Sequence, residues 1–278
     1  MRVLMRLATL CLLLPLHAEA ARPVTLVDVA LGRDDNIQAA RDGLPRDTET
    51  WLQAGIAPSI SEQLDEGLSL RLVARLDGRL HAQSQGLNEI TAGIDGQLLL
   101  RPGRSFHTPT LGLSLGVGAS QFQSDLRDAK EARARLWLRE SLTTRLAARG
   151  SLFANWRGSD SRVFDANTRG GELTLDWQAS SPLALTLGYQ YREGPVVSIG
   201  TPSTAARASA LAIEADDAFA GQMAFSFPAQ THIGFASAHY ALTSQLSLDA
   251  ALRYIESDSR FNSRYHRWVG LTGLVLRF

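Results

Sequence analysis

From Gly67 to Arg79 the chain alternates between apolar and polar residues. Leu68, Leu70, Leu72, Ala74 and Leu76 fall on one face; Ser69, Arg71, Val73, Arg75 and Asp77 fall on the other. A period of two is the signature of a β-strand with chemically different faces. The same pattern recurs at Thr110–Ala119, Glu172–Trp177, Leu183–Arg192 and Leu246–Tyr254. Ala129–Arg149 is rich in helix formers, but Arg133, Arg135 and Arg139 keep strict parity opposite Ala134, Leu136 and Leu138. A helix would scatter those arginines around its surface, so strand is the better reading.

Connections alternate in length. Ser141–Arg145, Ala179–Pro182 and Thr243–Gln245 are short; Gly158–Arg169, Gly194–Gln230 and Glu256–Arg264 are longer. Short turns at one end and longer loops at the other predict an all-β fold, a transmembrane antiparallel up-and-down β-barrel with short periplasmic turns. Counting back from the C-terminus places strands near 267–278, 245–256, 231–242, 182–193, 170–178, 145–157, 131–141, 109–119, 92–101, 67–77, 48–59 and 24–32. That is about twelve, an even number as single-chain barrels require. The first strand alternates poorly and requires Asp28 to face inward.

Aromatic placement agrees. With both chain ends periplasmic, Trp156, Tyr191, Tyr254 and Trp268 fall at outer strand ends, and Trp177, Tyr240 and Phe278 at periplasmic ends. All share the parity of the leucines, as two interfacial girdles against outer-membrane lipid require.

Residues 1–20 read as an export signal and 21–278 as the barrel. Arg2 and Arg6 precede an apolar run too short to span a bilayer, and Ala18-Glu19-Ala20 fits a cleavage site. Cys11, the single cysteine, lies inside this segment, which excludes disulfides and cysteine-based zinc sites from the remainder. The sequence holds 28 basic and 28 acidic residues, and Lys130 is its only lysine. A neutral balance gives no case for nucleic-acid binding.

The closing run Trp268-Val269-Gly270-Leu271-Thr272-Gly273-Leu274-Val275-Leu276-Arg277-Phe278 resembles the C-terminal signal of bacterial outer-membrane β-barrels. The resemblance implies recognition of this strand by the barrel-assembly machinery. Val27–Gln38 (VDVALGRDDNIQ), followed by Arg46 and Asp47, resembles the opening of barrels associated with exopolysaccharide export. That likeness implies a part in polysaccharide export.

Residues opposite the leucines are expected to line the lumen. The basic candidates are Arg71, Arg75, Arg133, Arg135, Arg139, Arg145, Arg149 and Arg157, with Arg101, Arg192 and Arg253 beyond them. The candidate counter-charges are Glu131, Glu172 and Asp176, with Asp77, Asp95 and Asp249 elsewhere. Arginines facing one another across a strand pair need compensating anions. Either a bound or transported anion supplies them, since the guanidinium fork pairs with carboxylate or phosphate, or the lumenal acids do so in an internal network.

No enzyme is expected. His81 and His266 fall in outer loops, His107 in a periplasmic turn, and His232 and His239 differ in parity. Ser237 and His239 share parity without a recognisable catalytic motif, and phosphate-loop and HExxH patterns are absent. No cofactor or metal is implied. Within the long segment 194–230, Ala210–Asp217 has the composition of a short helix. Such a loop either makes surface contacts or folds inward over a channel.

Overall fold

The computed structural model describes residues 23–259 and 264–278; the expected export signal and Cys11 lie outside them. Thirteen strands form in chain order: β1 (Val24–Asp34), β2 (Glu49–Asp65), β3 (Leu68–His81), β4 (Glu89–Leu100), β5 (Thr110–Phe122), β6 (Ala129–Ser141) and β7 (Leu146–Ser159). They continue as β8 (Ala166–Gln178), β9 (Leu183–Gly200), β10 (Ala212–Ala215), β11 (Met223–Ala241), β12 (Leu246–Ser259) and β13 (Arg264–Arg277). One short helix, α1 (Thr204–Ser209), precedes β10.

Twelve strands close into an antiparallel ring. Each pairs with its neighbour in sequence, β9 pairs with β11, and β13 returns to β1; β10 pairs with β11 alone. Closure depends on the weakly patterned first strand. Val29 faces Leu274, and Thr25 and Phe278 exchange two backbone hydrogen bonds of 3.2 and 2.9 Å. No open edge remains in the ring, which is what a bilayer core without water demands.

Turn chemistry explains where the strands reverse. In Leu142–Leu146 and again in Leu242–Leu246, a threonine hydroxyl (Thr143, Thr243) accepts from the backbone N–H groups two and three residues further on. Such side-chain turns fix a tight reversal. Three outer turns share a different build, a serine followed four residues later by Asn or Asp. Asn88 accepts from the His81 N–H, Asp128 from Phe122 and Asp165 from Ser159, at 2.6–2.7 Å. Each turn encloses one 3-10 turn.

The alternation of loop lengths is less regular than the sequence suggested. The outer turns 82–88, 123–128 and 160–165 are short, and the periplasmic connection 101–109 is longer than all three. The ladders simply run on beyond the last leucines, because polar residues pair as well in a strand as apolar ones.

The leucine face points outward round the ring, with β11 presenting the smaller Gly234, Ala236 and Ala238 in its place. Leu152 and Leu173 are each 67% exposed, with Leu76, Leu115, Leu138 and Leu187 also exposed. An uninterrupted apolar belt of this kind is stable only against lipid. The buried apolar cluster lies elsewhere. Val163, Ile199, Phe219 and Ala224, with Ile37, Leu87 and Phe164 packed against them, form a small core above the outer mouth.

Candidate functional site

The lumenal wall carries most of the charge. Arg133 bonds Asp95 at 3.2 Å, Arg135 bonds Glu172 at 3.0 Å, Arg157 pairs with Glu131, and Arg139 lies 3.9 Å from Asp176. Arg75 lies 3.8 Å from Asp77. Three of these pairs skip a strand, so long arginine side chains bridge β4 to β6 and β6 to β8 around the inside of the ring. The internal network that the sequence left open therefore takes up five of the eight candidate arginines.

Two members of that set move. Arg145 is exposed in the periplasmic β6–β7 turn, and Arg101 follows β4 and donates to the Ser105 carbonyl; neither belongs to a barrel strand. Further lumenal carboxylates also emerge. Asp28 faces inward beside Gly55 and Asp77, Asp34 bonds Arg267 at 3.0 Å, and Glu89 bonds Arg79 at 2.9 Å. Glu49, only 1% exposed, accepts from the N–H groups of Thr50, Gln83 and Ser84. The basic excess is thus smaller than strand parity alone suggested. Among the described residues Arg71, Arg149, Arg192 and Arg253 face inward without a carboxylate partner; Arg71 only reaches the Ser59 hydroxyl at 3.4 Å.

Aromatic rings complete the wall. Trp51, Trp137 and Phe235 lie against Gly32, Gly112 and Gly188 of the neighbouring strand, where any Cβ would overlap the ring. Arg79 stands over Trp51 at 5.5 Å and Arg135 over Phe153 at 5.6 Å, within cation–π range. These rings were missed in the sequence. The signal was a glycine at a lumenal position directly opposite an aromatic residue, legible only once register is known.

The aromatic residues expected at the interfaces share the leucine face. Trp156, Trp177, Tyr240, Trp268 and Phe278 are exposed on the outer surface, and Tyr254 packs on Trp268 at 4.8 Å. Tyr191 shares their face at the outer half of β9 and donates to Glu193. His81 and His266 are strand residues rather than loop residues, and His81 stacks on Trp51 at 5.8 Å. His239 bonds Asp249 at 2.6 Å, and no hydrogen bond joins it to Ser237.

The outer mouth is covered. β9 and β11 continue past the barrel rim as a hairpin from Gly194 to Ala229, which carries α1 and β10. The expected helix at 210–217 is instead strand at Ala212–Ala215, because Ala212 to Ala215 pair with Ser226 to Met223; the helix sits earlier, capped by the Ser203 hydroxyl. Ile199 donates to Gln38 of the β1–β2 loop at 2.9 Å. Ser161 of the β7–β8 turn bonds Glu214, and Gly86 of the β3–β4 turn touches Ala218. The β3–β4 turn lies half-way round the ring from the β9–β11 pair, so the hairpin must cross the opening to reach it.

A latch holds it there. Arg127 of the β5–β6 turn, 6% exposed along its side chain, bonds the fully buried Asp216 at 2.6 Å and Asp217 at 3.1 Å, with the Phe164 ring 4.2 Å away. At the hairpin's base Pro195 faces Pro228 directly, one row beyond the last β11–β12 pair. That row lacks both ladder donors, a natural point of weakness between barrel and hairpin.

A closed twelve-stranded antiparallel ring with an outward apolar belt is a membrane-barrel architecture. The fold is that of the porin-like outer-membrane β-barrels. Among solved structures, this barrel superimposes on an outer-membrane channel from Pseudomonas putida F1 with a TM-score of 0.58 and 11% identity, covering 92% of this chain and 95% of that one. It also superimposes on the NanC porin with a TM-score of 0.50 and 8% identity, covering 90% and 98%. No protein-family model and no curated protein sequence matches the barrel's sequence. The likenesses concern architecture, not the lumen's residues.

Proposed function

We propose that the protein is an outer-membrane channel with a lumen biased toward anionic or saccharide solutes, and that the β9–β11 hairpin is its outer gate. The observation that carries this reading is the set of inward arginines without carboxylates, Arg71, Arg149, Arg192 and Arg253. A lumen that merely filled itself with ion pairs would match each inward cation with a carboxylate, whereas lumen-facing cations left over raise the local concentration of anions. An acidic polysaccharide, passing outward, is the solute that fits both this surplus and the sequence likeness to exopolysaccharide-export barrels. The name of the superimposed Pseudomonas protein, a channel, is in keeping with the reading.

The cap favours one other reading, a barrel that never conducts, because its hairpin reaches the far rim and is held by a buried ion pair. Planar-bilayer recording separates the two. The channel reading expects currents with anion selectivity that weakens when Arg149, Arg192 and Arg253 are changed to glutamine. Silence under every condition, including with the cap destabilised, supports the closed barrel.

A further inference from the structure

Arg139 on β6 and Arg149 on β7 are direct register partners, both facing inward, in the periplasmic half of the barrel. Like charges placed opposite one another are unfavourable unless an anion lies between or beside them. Two carboxylates flank them on β8: Glu172 is taken by Arg135 at 3.0 Å, and Asp176, which accepts from the Thr186 hydroxyl, lies 3.9 Å from Arg139, at the limit of an ion pair. Arg149 has neither carboxylate nor hydrogen-bond partner, and its buried Nε is unsatisfied.

The two residues beside it share the defect. Thr174 on β8 is the register partner of Arg149, and Ser151 is the next inward residue along β7. They are 4% and 8% exposed, and both hydroxyls lack a partner. Of six buried side-chain atoms without partners among the described residues, three are thus contiguous on this patch of wall. Elsewhere on the same wall Arg133, Arg135 and Arg157 are all satisfied. Buried polar groups are normally hydrogen-bonded, and a cluster of exceptions calls for a physical cause. Trp137, opposite Ser151 on β6 and resting on Gly112, adds a flat ring to the same patch.

Taking the lumen as solute-accessible, we infer that Arg149 and Arg139 form a specific binding site for a carboxylate or phosphate group borne by the solute. The resting rotamer of Arg149 is poorly satisfied. An anion between the two guanidinium groups draws Arg149 toward it and supplies the charge-assisted partner that its own neighbours do not. Movement of Arg149 also opens Ser151 and Thr174 to the lumen, where the bound group or its water can satisfy them. The site stands near the periplasmic mouth, at the end of the barrel away from the cap.

The test is calorimetric titration of the full-length barrel in detergent with glucuronate, glucose 1-phosphate and neutral glucose. Each variant is first checked for folding by heat-modifiable gel migration. One of the two anions is expected to bind, and the tighter of them identifies the group as carboxylate or phosphate; glucose is expected not to bind. Arg149→Gln should weaken that binding about tenfold or more, the loss of one charge-assisted contact. Arg149→Lys should restore only part of it, because it keeps the charge and loses the fork. Arg104→Gln, an exposed change in the periplasmic β4–β5 connection, should move it less than about twofold.

Equal binding of glucose, no binding of either anion, or an Arg149→Gln titration matching the parent overturns the site. A barrel that conducts anions in bilayers while Arg149→Gln titrates like the parent loses this site and keeps the channel reading. One that binds anions through Arg149 yet stays silent in bilayers does the reverse.

Discussion

Gly86 packs so closely against Ala218, across the whole width of the barrel mouth, that a Cβ on Gly86 would lie 2.5 Å from the Ala218 Cβ and 2.6 Å from its Cα. Real carbons do not approach that closely, so a side chain at 86 must push the hairpin away. Gly86→Leu is expected to speed amide exchange across residues 212–227 while leaving exchange in β3 and β4 unchanged. Unaltered exchange in the hairpin would mean that the contact bears no load.

Arg127 and Asp216 set the strength of closure. Removing one partner of a buried ion pair leaves the other charge uncompensated, at a cost of about 3–5 kcal/mol. Asp216→Asn should therefore loosen the cap more than Asp217→Asn, because Asp217 is partly exposed and Asp216 is fully buried. Hydrogen exchange of the hairpin reads the difference. Heat-modifiable migration should be the same for both variants, since neither touches the ring.

The outward belt and the inward wall should respond oppositely to charge. Leu152→Arg places a cation on the lipid face of β7, at a cost of about 2–4 kcal/mol if it falls near the bilayer midplane. Asn155→Arg points into the lumen on the same strand and should fold into vesicles almost as well as the parent. Folded fraction by gel migration after refolding into vesicles is the measurement.

Trp137 depends on the absence of a side chain at Gly112. Gly112→Val forces the ring off its seat, and overpacking of this kind costs about 1–3 kcal/mol. Lower resistance to heat or urea is expected, with Gly150→Val, an outward position facing lipid, as the milder comparison.

The barrel was legible because a period of two survives in single strands. Val29 and Leu31 kept enough of it for β1 to be placed, even though Asp28 looked out of place until Gly55 and Asp77 were seen beside it. The cap was not legible. Its β10 is four residues long, and its core draws Leu87 and Val163 from two separate turns and Ile199 from the far end of β9, so no local pattern marks it. Ala210–Asp217 reads as helix by composition and becomes strand only because Ser226 to Met223 are there to pair with it. The lumen was half legible. Parity put Arg133, Arg135, Arg139, Arg149 and Arg157 on the inward face, but the partners of Arg133, Arg135 and Arg139 lie two strands away, which sequence does not encode locally.

Ser124 and Asp217 touch through their side chains at the latch, so a disulfide between cysteines placed at both positions, once its formation is verified by thiol titration, locks the hairpin there. Single-channel recording of Ser124→Cys with Asp217→Cys, in a chain whose Cys11 is replaced by serine, tests the gated channel most directly. The account predicts silence under oxidation and anion-selective currents once a reductant is added. Currents of equal size in both states, or none in either, would contradict it.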